Sequence, residues 1–247
     1  MHTYPDIKNT LDITFFVPCF NEERLIQSTL SHLLEAVQTT KLTYEIIVVD
    51  DCSEDKTSDK VREWQRTHSE VNLELIHHAK NRGLARSYVD TAFRGRGRYY
   101  RLLCGDDPEP VSTLVKMFEQ IGKADMILPY YENLPGKGFL RSQISSLYTQ
   151  LVNLVSGYKI KYYNGCGIHL RYNVMRWGPY SFGFGFQAEL ITRLLDEGAS
   201  YCQIALEAQH HAKPPHQSAL NFGNFLSVSH TLLEMGIRRI RRDIFQR

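Results

Sequence analysis

The sequence predicts an α/β protein in which a mostly parallel sheet is flanked by helices and followed by a C-terminal helical extension. Two observations predict it. From Asp12 onward, short apolar runs alternate with segments of helical period, the rhythm of βαβ units. The residues that close those runs are strongly polar, and an open α/β sheet binds its ligands beyond the carboxyl ends of its strands.

The elements follow in order. Residues 12–17 form the first apolar run, and residues 23–38 carry Leu25, Ile26, Leu30, Leu33, Leu34 and Val37 as one helical stripe. The same reasoning gives strands at 44–49, 73–77, 99–103 and 125–128, with helices at 58–67, 84–93 and 111–121 between them. Pro110 stands at the start of the last of these helices, where its missing N–H costs nothing. After Pro129 the rhythm changes. A Pro/Gly loop at 132–138 leads to a helix at 139–155, and an aromatic, glycine-containing stretch follows at 158–185. A helix at 186–196 closed by Gly198, a strand at 201–206 and a long helical region at 219–245 complete the chain.

Composition narrows the classes. The 247 residues are 43% hydrophobic and 23% charged, which fits a globular protein and excludes disorder or a fibrous repeat. A net charge of +2 gives no electrostatic case for binding nucleic acid. The five cysteines form no C-x-x-C pair and the start lacks a signal-peptide pattern, so the expectation is a reduced, cytoplasmic protein without a zinc cluster. No apolar run reaches the roughly 18 residues of a membrane span, which leaves peripheral contact as the expected form of any membrane association.

Three strand ends concentrate acids. The first closes in Pro18-Cys19-Phe20-Asn21-Glu22-Glu23, the second in Asp50-Asp51-Cys52-Ser53-Glu54-Asp55 and the fourth in Cys104-Gly105-Asp106-Asp107-Pro108-Glu109. Taken singly, Asn21 reads equally as a helix cap, and Ser53 and Asp55 as turn formers. Taken together, they would line one edge of the sheet with carboxylates. A departing nucleoside diphosphate concentrates negative charge, and a divalent cation held by a few carboxylates can neutralise it.

With these motifs the chain resembles glycosyltransferase family 2. The resemblance rests on residues 17–22, 45–55, Asn81-Arg82-Gly83-Leu84 and the acidic turn at Asp106, in the family's order and spacing. It implies the GT-A fold, a nucleotide-sugar-binding half at 12–130 and an acceptor half at 131–218, with residues 219–247 as an amphipathic helical extension. It further implies donor-binding roles for Pro18, Asn21, Glu22, Asp50, Asp51, Asn81 and Gly83, and Mg²⁺ or Mn²⁺ held by Asp106 and Asp107. The family's D-x-D pattern has Cys104 at its first acid here, and the substitute acid is Asp107 or Glu109. A hard cation favours oxygen over sulfur, so Cys104 itself is a poor ligand.

The second half resembles the polyprenol-phosphate branch of that family, similar to dolichol-phosphate mannose synthase. Arg141 and Ser145 have the spacing which that branch uses for the acceptor phosphate. The physics agrees, since a guanidinium and a hydroxyl one helical turn apart can grip the same phosphate. A solvated helix face is the alternative for this pair. The segment 184–190 also resembles the branch and offers Glu189 as the acid to serve if a base is required. An acceptor phosphate with a second pKa of about 6 is already an anionic nucleophile, whereas a hydroxyl acceptor would need that base.

The implied activity is inverting transfer of a sugar from a UDP- or GDP-linked donor to a polyprenyl phosphate at the cytoplasmic membrane face. Transfer to a sugar hydroxyl in a surface polysaccharide is the second reading, and a nucleotide-binding scaffold without activity is the third. Residues 162–167 depart from the branch, which leaves the sugar and the acceptor open. His211 and Lys213, in a His/Pro loop after the last strand, could close over a bound phosphate or simply form surface. The G-x-G-x-x-A match at 183–188 lacks a preceding apolar strand, so it carries no dinucleotide reading. The arginine-rich end at 235–247 suits either an anionic membrane surface or a helix packed on the domain.

Overall fold

The computed structural model describes residues 11–106, 109–131, 139–176, 185–207 and 222–245. Strands β1 (Leu11–Cys19), β2 (Tyr44–Asp50), β3 (Leu73–His77), β4 (Gly97–Leu102), β5 (Met126–Tyr131), β6 (Ile168–Leu170) and β7 (Tyr201–Leu206) form one sheet in the order β3-β2-β1-β4-β6-β5-β7. Every pairing is parallel except those of β6, which runs antiparallel to both β4 and β5. The helices are α1 (Ile26–Thr40), α2 (Thr57–Thr67), α3 (Leu84–Arg94), α4 (Val111–Phe118), α5 (Phe139–Ser156), α6 (Arg171–Arg176), α7 (Phe186–Asp196) and α8 (Phe222–Phe245).

Both faces of the sheet are covered, which is why its central strands read as continuous apolar runs. Ile13, Phe15 and Val17 of β1 alternate with Phe16, and the two sets belong to different cores. The first set packs with Leu30 and Leu33 of α1, Val61 and Trp64 of α2, and Met117 and Phe118 of α4. Phe16 packs with Ile47, Val49, Tyr100 and Leu102, under Ala85 and Tyr88 of α3, Val152 of α5 and Leu190 and Leu194 of α7. Side chains on a strand alternate faces, so one strand feeds two layers.

The elements 12–128 were expected nearly where they lie. One difference has a clear physical cause: residues 22–25 form a turn, with Leu25 N–H and Ile26 N–H both donating to Glu22 C=O at 3.1 Å, and α1 begins only at Ile26. Neither β6 nor α6 was expected within the 158–185 stretch. β6 is three residues long, Ile168–Leu170, and gains its strand geometry from neighbours on both sides.

Helix α8 lies against α5 and α7. Arg239 donates to the Leu154 carbonyl at 2.5 Å and Arg242 to the Ser156 carbonyl at 3.0 Å, so these guanidiniums satisfy carbonyls that the end of α5 leaves open. Arg238 donates to Asp196 Oδ2 at 2.7 Å and Thr192 Oγ1 at 2.8 Å on α7, and Arg242 also pairs with Asp196. Three of the tail's arginines therefore bind the domain itself. Among the described residues no helix is long and apolar enough to cross a membrane.

Candidate functional site

The carboxyl ends of β1, β2 and β4 meet at one edge, and backbone bonds hold them in register. Asp51 N–H donates to the Cys19 carbonyl at 2.9 Å, and Gly105 N–H donates to the Pro18 carbonyl at 3.1 Å. Thr29 Oγ1 of α1 donates to the Gly105 carbonyl at 3.2 Å. Gly105 must be glycine for a steric reason, because a Cβ there would stand 2.7 Å from Cys19 Sγ and 2.9 Å from Pro18 O. The acidic turn that begins at Asp106 is thus laid directly over the end of β1.

Asn21 joins the first two loops. It adopts a left-handed φ of 58°, its N–H donates to Ser53 Oγ at 2.9 Å and its Oδ1 accepts from Glu54 N–H at 2.9 Å. Asparagine tolerates this region better than other side-chain-bearing residues. Glu22 N–H donates to Thr57 Oγ1 at 2.8 Å and Glu23 N–H to Asp55 Oδ2 at 3.1 Å, which continues the same seam. Ser53 and Asp55 act as turn formers, the alternative open to them from sequence, whereas Asn21 bridges the two loops and does not cap α1, whose N-cap is Leu25.

The two aspartates after β2 are held differently. Asp50 accepts from Ser53 N–H at 2.9 Å, from Ser58 Oγ and from His77 Nδ1 at 3.2 Å. Burial pushes its pKa upward, but the hydrogen bonds from Ser53, Ser58 and His77 outweigh burial and hold it below the ordinary aspartate value. Asp51 accepts from Arg82 N–H at 2.9 Å and Gly83 N–H at 2.8 Å, and His78 Nδ1 lies 2.7 Å from its Oδ1. It therefore anchors the turn that starts α3. Gly83 has φ +81°, a conformation that favours glycine, and its N–H is also within 3.1 Å of Asn81 Oδ1. His77, the last residue of β3, and His78 after it are the partners of these two carboxylates.

The acids do converge. The Cys19 thiol is pushed well above its ordinary pKa first by burial and then by the negative charges of Asp50, Glu22, Asp106 and Asp55. Four carboxylates around one strand end repel a diphosphate unless a cation stands between them. Among the described residues no group of three or more His, Cys, Asp or Glu side chains is arranged to enclose a metal ion. Asp106 at that edge offers oxygen, the donor type that a hard divalent cation takes.

Cys104 and Glu109 flank the acidic turn. Cys104 packs against the apolar layer that contains Phe16 and Leu102. Glu109 is paired with Arg101, with Nη2 at 2.8 Å from both carboxylate oxygens. Asp107 lies outside the described residues, as do His210, His211, Lys213 and His216.

In the second half of the chain, α5 carries both Arg141 and Ser145; the Arg141 side chain is outside the described set and Ser145 is half-buried. Glu189 is buried at 1% exposure on α7, and its Oε1 lies 2.9 Å from Arg193 Nη2. Arg193 in turn approaches Glu234 of α8 at 3.5 Å. The acid offered by sequence as a base is therefore part of an ion-pair chain that ties α7 to α8.

Comparison with known proteins identifies the fold and the family. The chain is 26% identical over 171 residues to a dodecaprenyl-phosphate galacturonate synthase of Rhizobium johnstonii, covering 67% of this chain and 49% of that one. It is 23% identical over 211 residues to a dolichol-phosphate mannosyltransferase of Pyrococcus furiosus, covering 72% and 58%. The chain spans about half the length of these curated relatives. The solved glucosyl-3-phosphoglycerate synthase of Mycobacterium tuberculosis, bound to Mn²⁺, UDP and phosphoglyceric acid, superposes with a TM-score of 0.72 at 15% identity, covering 92% of this chain and 78% of that one. A mannosyltransferase of Pyrobaculum calidifontis bound to GDP-Man and Mn²⁺ gives 0.66 at 18% identity, covering 96% and 66%. The fold is GT-A, as the resemblance implied. Residues 14–177 match the family described as Glycosyl transferase family 2, and the chain belongs to that family.

Proposed function

We propose that this glycosyltransferase moves a sugar, with inversion, from a UDP- or GDP-linked donor to a polyprenyl phosphate at the cytoplasmic face of a membrane. The carrying observation is the set of carboxylates gathered around Cys19, with Asp106 laid over the end of β1. Mg²⁺ or Mn²⁺, when bound there, would neutralise the charge that develops on the departing diphosphate. Asp106 and Asp107 are the residues to hold it. The loop seam through Asn21 and Glu22, with the Asp50 and Asp51 anchors, shapes the base and ribose cradle beside Pro18, and the Asn81–Gly83 turn closes its far side.

In the reaction an acceptor phosphate oxygen attacks the anomeric carbon, the bond from that carbon to the diphosphate oxygen breaks, and the electron pair leaves with the nucleoside diphosphate. No proton must be removed from an ionised phosphate, so no side-chain base is required. Glu189 then serves to hold α7 to α8, in keeping with its pairing to Arg193. Arg141 and Ser145 are assigned to the acceptor phosphate. A second reading, an acceptor that is not a lipid, is supported by the similarity to an enzyme solved with phosphoglyceric acid.

Calorimetry with UDP- and GDP-sugars tests the donor side. Binding should require Mn²⁺, vanish with chelator and weaken at least about tenfold in Asp106→Ala, in line with the loss of a charged contact to the cation. On the acceptor side, Arg141→Ala should raise KM for polyprenyl phosphate and leave donor affinity intact. Unchanged cation-dependent binding in Asp106→Ala would overturn the assignment of that residue. Transfer to soluble acceptors alone would favour the second reading.

A further inference from the structure

Two helices leave large aliphatic side chains in solvent in regular stripes. On α5, Ile144, Leu147, Leu151 and Leu154 are 42%, 56%, 39% and 71% exposed, at spacings of three, four and three residues. On α8, Leu233, Ile237, Ile240 and Ile244 are 65%, 44%, 59% and 63% exposed, at spacings of four, three and four, and Phe245 beyond them is 79% exposed. Each spacing keeps its set on one helix face. The two helices touch: a Cβ on Gly236 would lie 3.6 Å from Val155, and Arg239 reaches the Leu154 carbonyl. A soluble surface rarely gathers this much aliphatic area without a partner.

Charge identifies the partner. Helix α5 has no acidic residue. On α8 the acids are Glu234 and Asp243; the first lies 3.5 Å from Arg193 and the second lies 3.7 Å from Arg239 and 3.8 Å from Arg242. Their negative charge is offset within the domain, while Arg241, next to Ile240 on α8, and Lys159, just past the end of α5, stay exposed. The result is an aliphatic face with a positive margin. Protein interfaces concentrate their energy in Trp, Tyr and Arg anchors, whereas Leu and Ile stripes with basic flanks are what an anionic bilayer surface accepts.

We infer that the outer faces of α5 and α8 together are the surface by which the domain lies on an anionic lipid bilayer. The attachment is mainly apolar, because Arg238, Arg239 and Arg242 are spent on Asp196, Thr192 and the carbonyls that end α5. Those same bonds lock the two helices as a pair, so the face is rigid before it meets lipid. The inference takes its purpose from the lipid-acceptor reading: α5 carries Ser145 next to Ile144, so an acceptor phosphate at the headgroup level would arrive where the first apolar side chain enters.

The test uses the full chain with vesicles of phosphatidylcholine and phosphatidylglycerol that contain no polyprenyl phosphate. The protein should co-sediment, and most of the binding should persist at about 0.5 M NaCl, where screening removes attraction between exposed charges. The double variant Leu147→Glu/Ile240→Glu should bind at least about tenfold more weakly, since two charges replace inserted aliphatic groups. Its sites are exposed, so donor affinity by calorimetry should match the parent. Absence of parent binding at low salt, equal binding of parent and variant, or a parental dimer that the variant splits without any vesicle binding would each overturn the inference. Vesicle binding without transfer to polyprenyl phosphate would sink the functional reading and leave the face standing. Transfer to a short-chain, water-soluble polyprenyl phosphate without vesicle binding would do the reverse.

Discussion

Arg101, 1% exposed near the carboxyl end of β4, places Nη2 at 2.8 Å from both carboxylate oxygens of Glu109. Its Nε donates to the Cys166 carbonyl at 3.3 Å, and its guanidinium carbon lies 5.5 Å from the centre of the Phe118 ring. The His32 ring nitrogen Nδ1 lies 3.0 Å from the Glu109 carbonyl. The acidic turn is thus fixed at its exit by β4 and α1, just as Gly105 and Pro18 fix its entry.

Removing one member of this pair should be costly. Glu109→Ala leaves a buried guanidinium without its counter-charge, and chemical unfolding should report a loss of about 3–5 kcal/mol. The double variant Arg101→Met/Glu109→Leu should recover most of that stability. Its cation-dependent donor affinity should remain reduced, because the turn that carries Asp106 has lost its exit anchor.

The entry anchor is steric. Gly105→Ala would place a methyl group 2.7 Å from Cys19 Sγ and 2.9 Å from Pro18 O, and the turn must move. A loss of about 1–3 kcal/mol is expected, together with weaker donor binding. Adding Cys19→Ala should not restore either property, since the obstruction by the Pro18 backbone stays. Thermal unfolding and calorimetry on the two variants check both points.

His169 gives the chain a pH dependence of its own. It sits on β6 between β4 and β5, buried at 4% exposure, and burial lowers its pKa to about 4. Above the ordinary histidine pKa of about 6.5 both folded and unfolded chains hold the neutral ring. Between there and about 4 only the unfolded chain takes up the proton, so stability falls as pH falls, by up to about 3 kcal/mol at 1.36 kcal/mol per unit. In His169→Leu this slope should disappear from denaturation midpoints measured over that range. A parental slope unchanged by the substitution would show that other groups carry it.

Much was legible because it is local. Alternation of Phe15 and Phe16, helical spacing of Leu30, Leu33 and Leu34, and acids placed immediately after apolar runs are properties of neighbouring residues. They gave the parallel α/β core, and the ordered motifs at 17–22, 45–55 and 81–84 gave the family. Nucleotide-sugar chemistry at the acid-lined edge followed as an expectation from the same residues.

What only the tertiary structure decided is which partner each polar side chain finds. Ile168–Leu170 is too short to announce a strand, and becomes β6 because β4 and β5 flank it with open backbone groups. Glu109 and Asp106 are indistinguishable in sequence, yet Arg101 engages the first. Glu189 reads as an available acid until Arg193 lies 2.9 Å from it, and the tail arginines suit a lipid surface or the domain alike until α5 and α7 supply carbonyls and Asp196. The exposed stripes of α5 and α8 lie on neighbouring helices only because those two helices pack together. Sequence fixes what a residue can bond, but residues far apart along the chain compete for those bonds, and folding settles the competition through burial and distance.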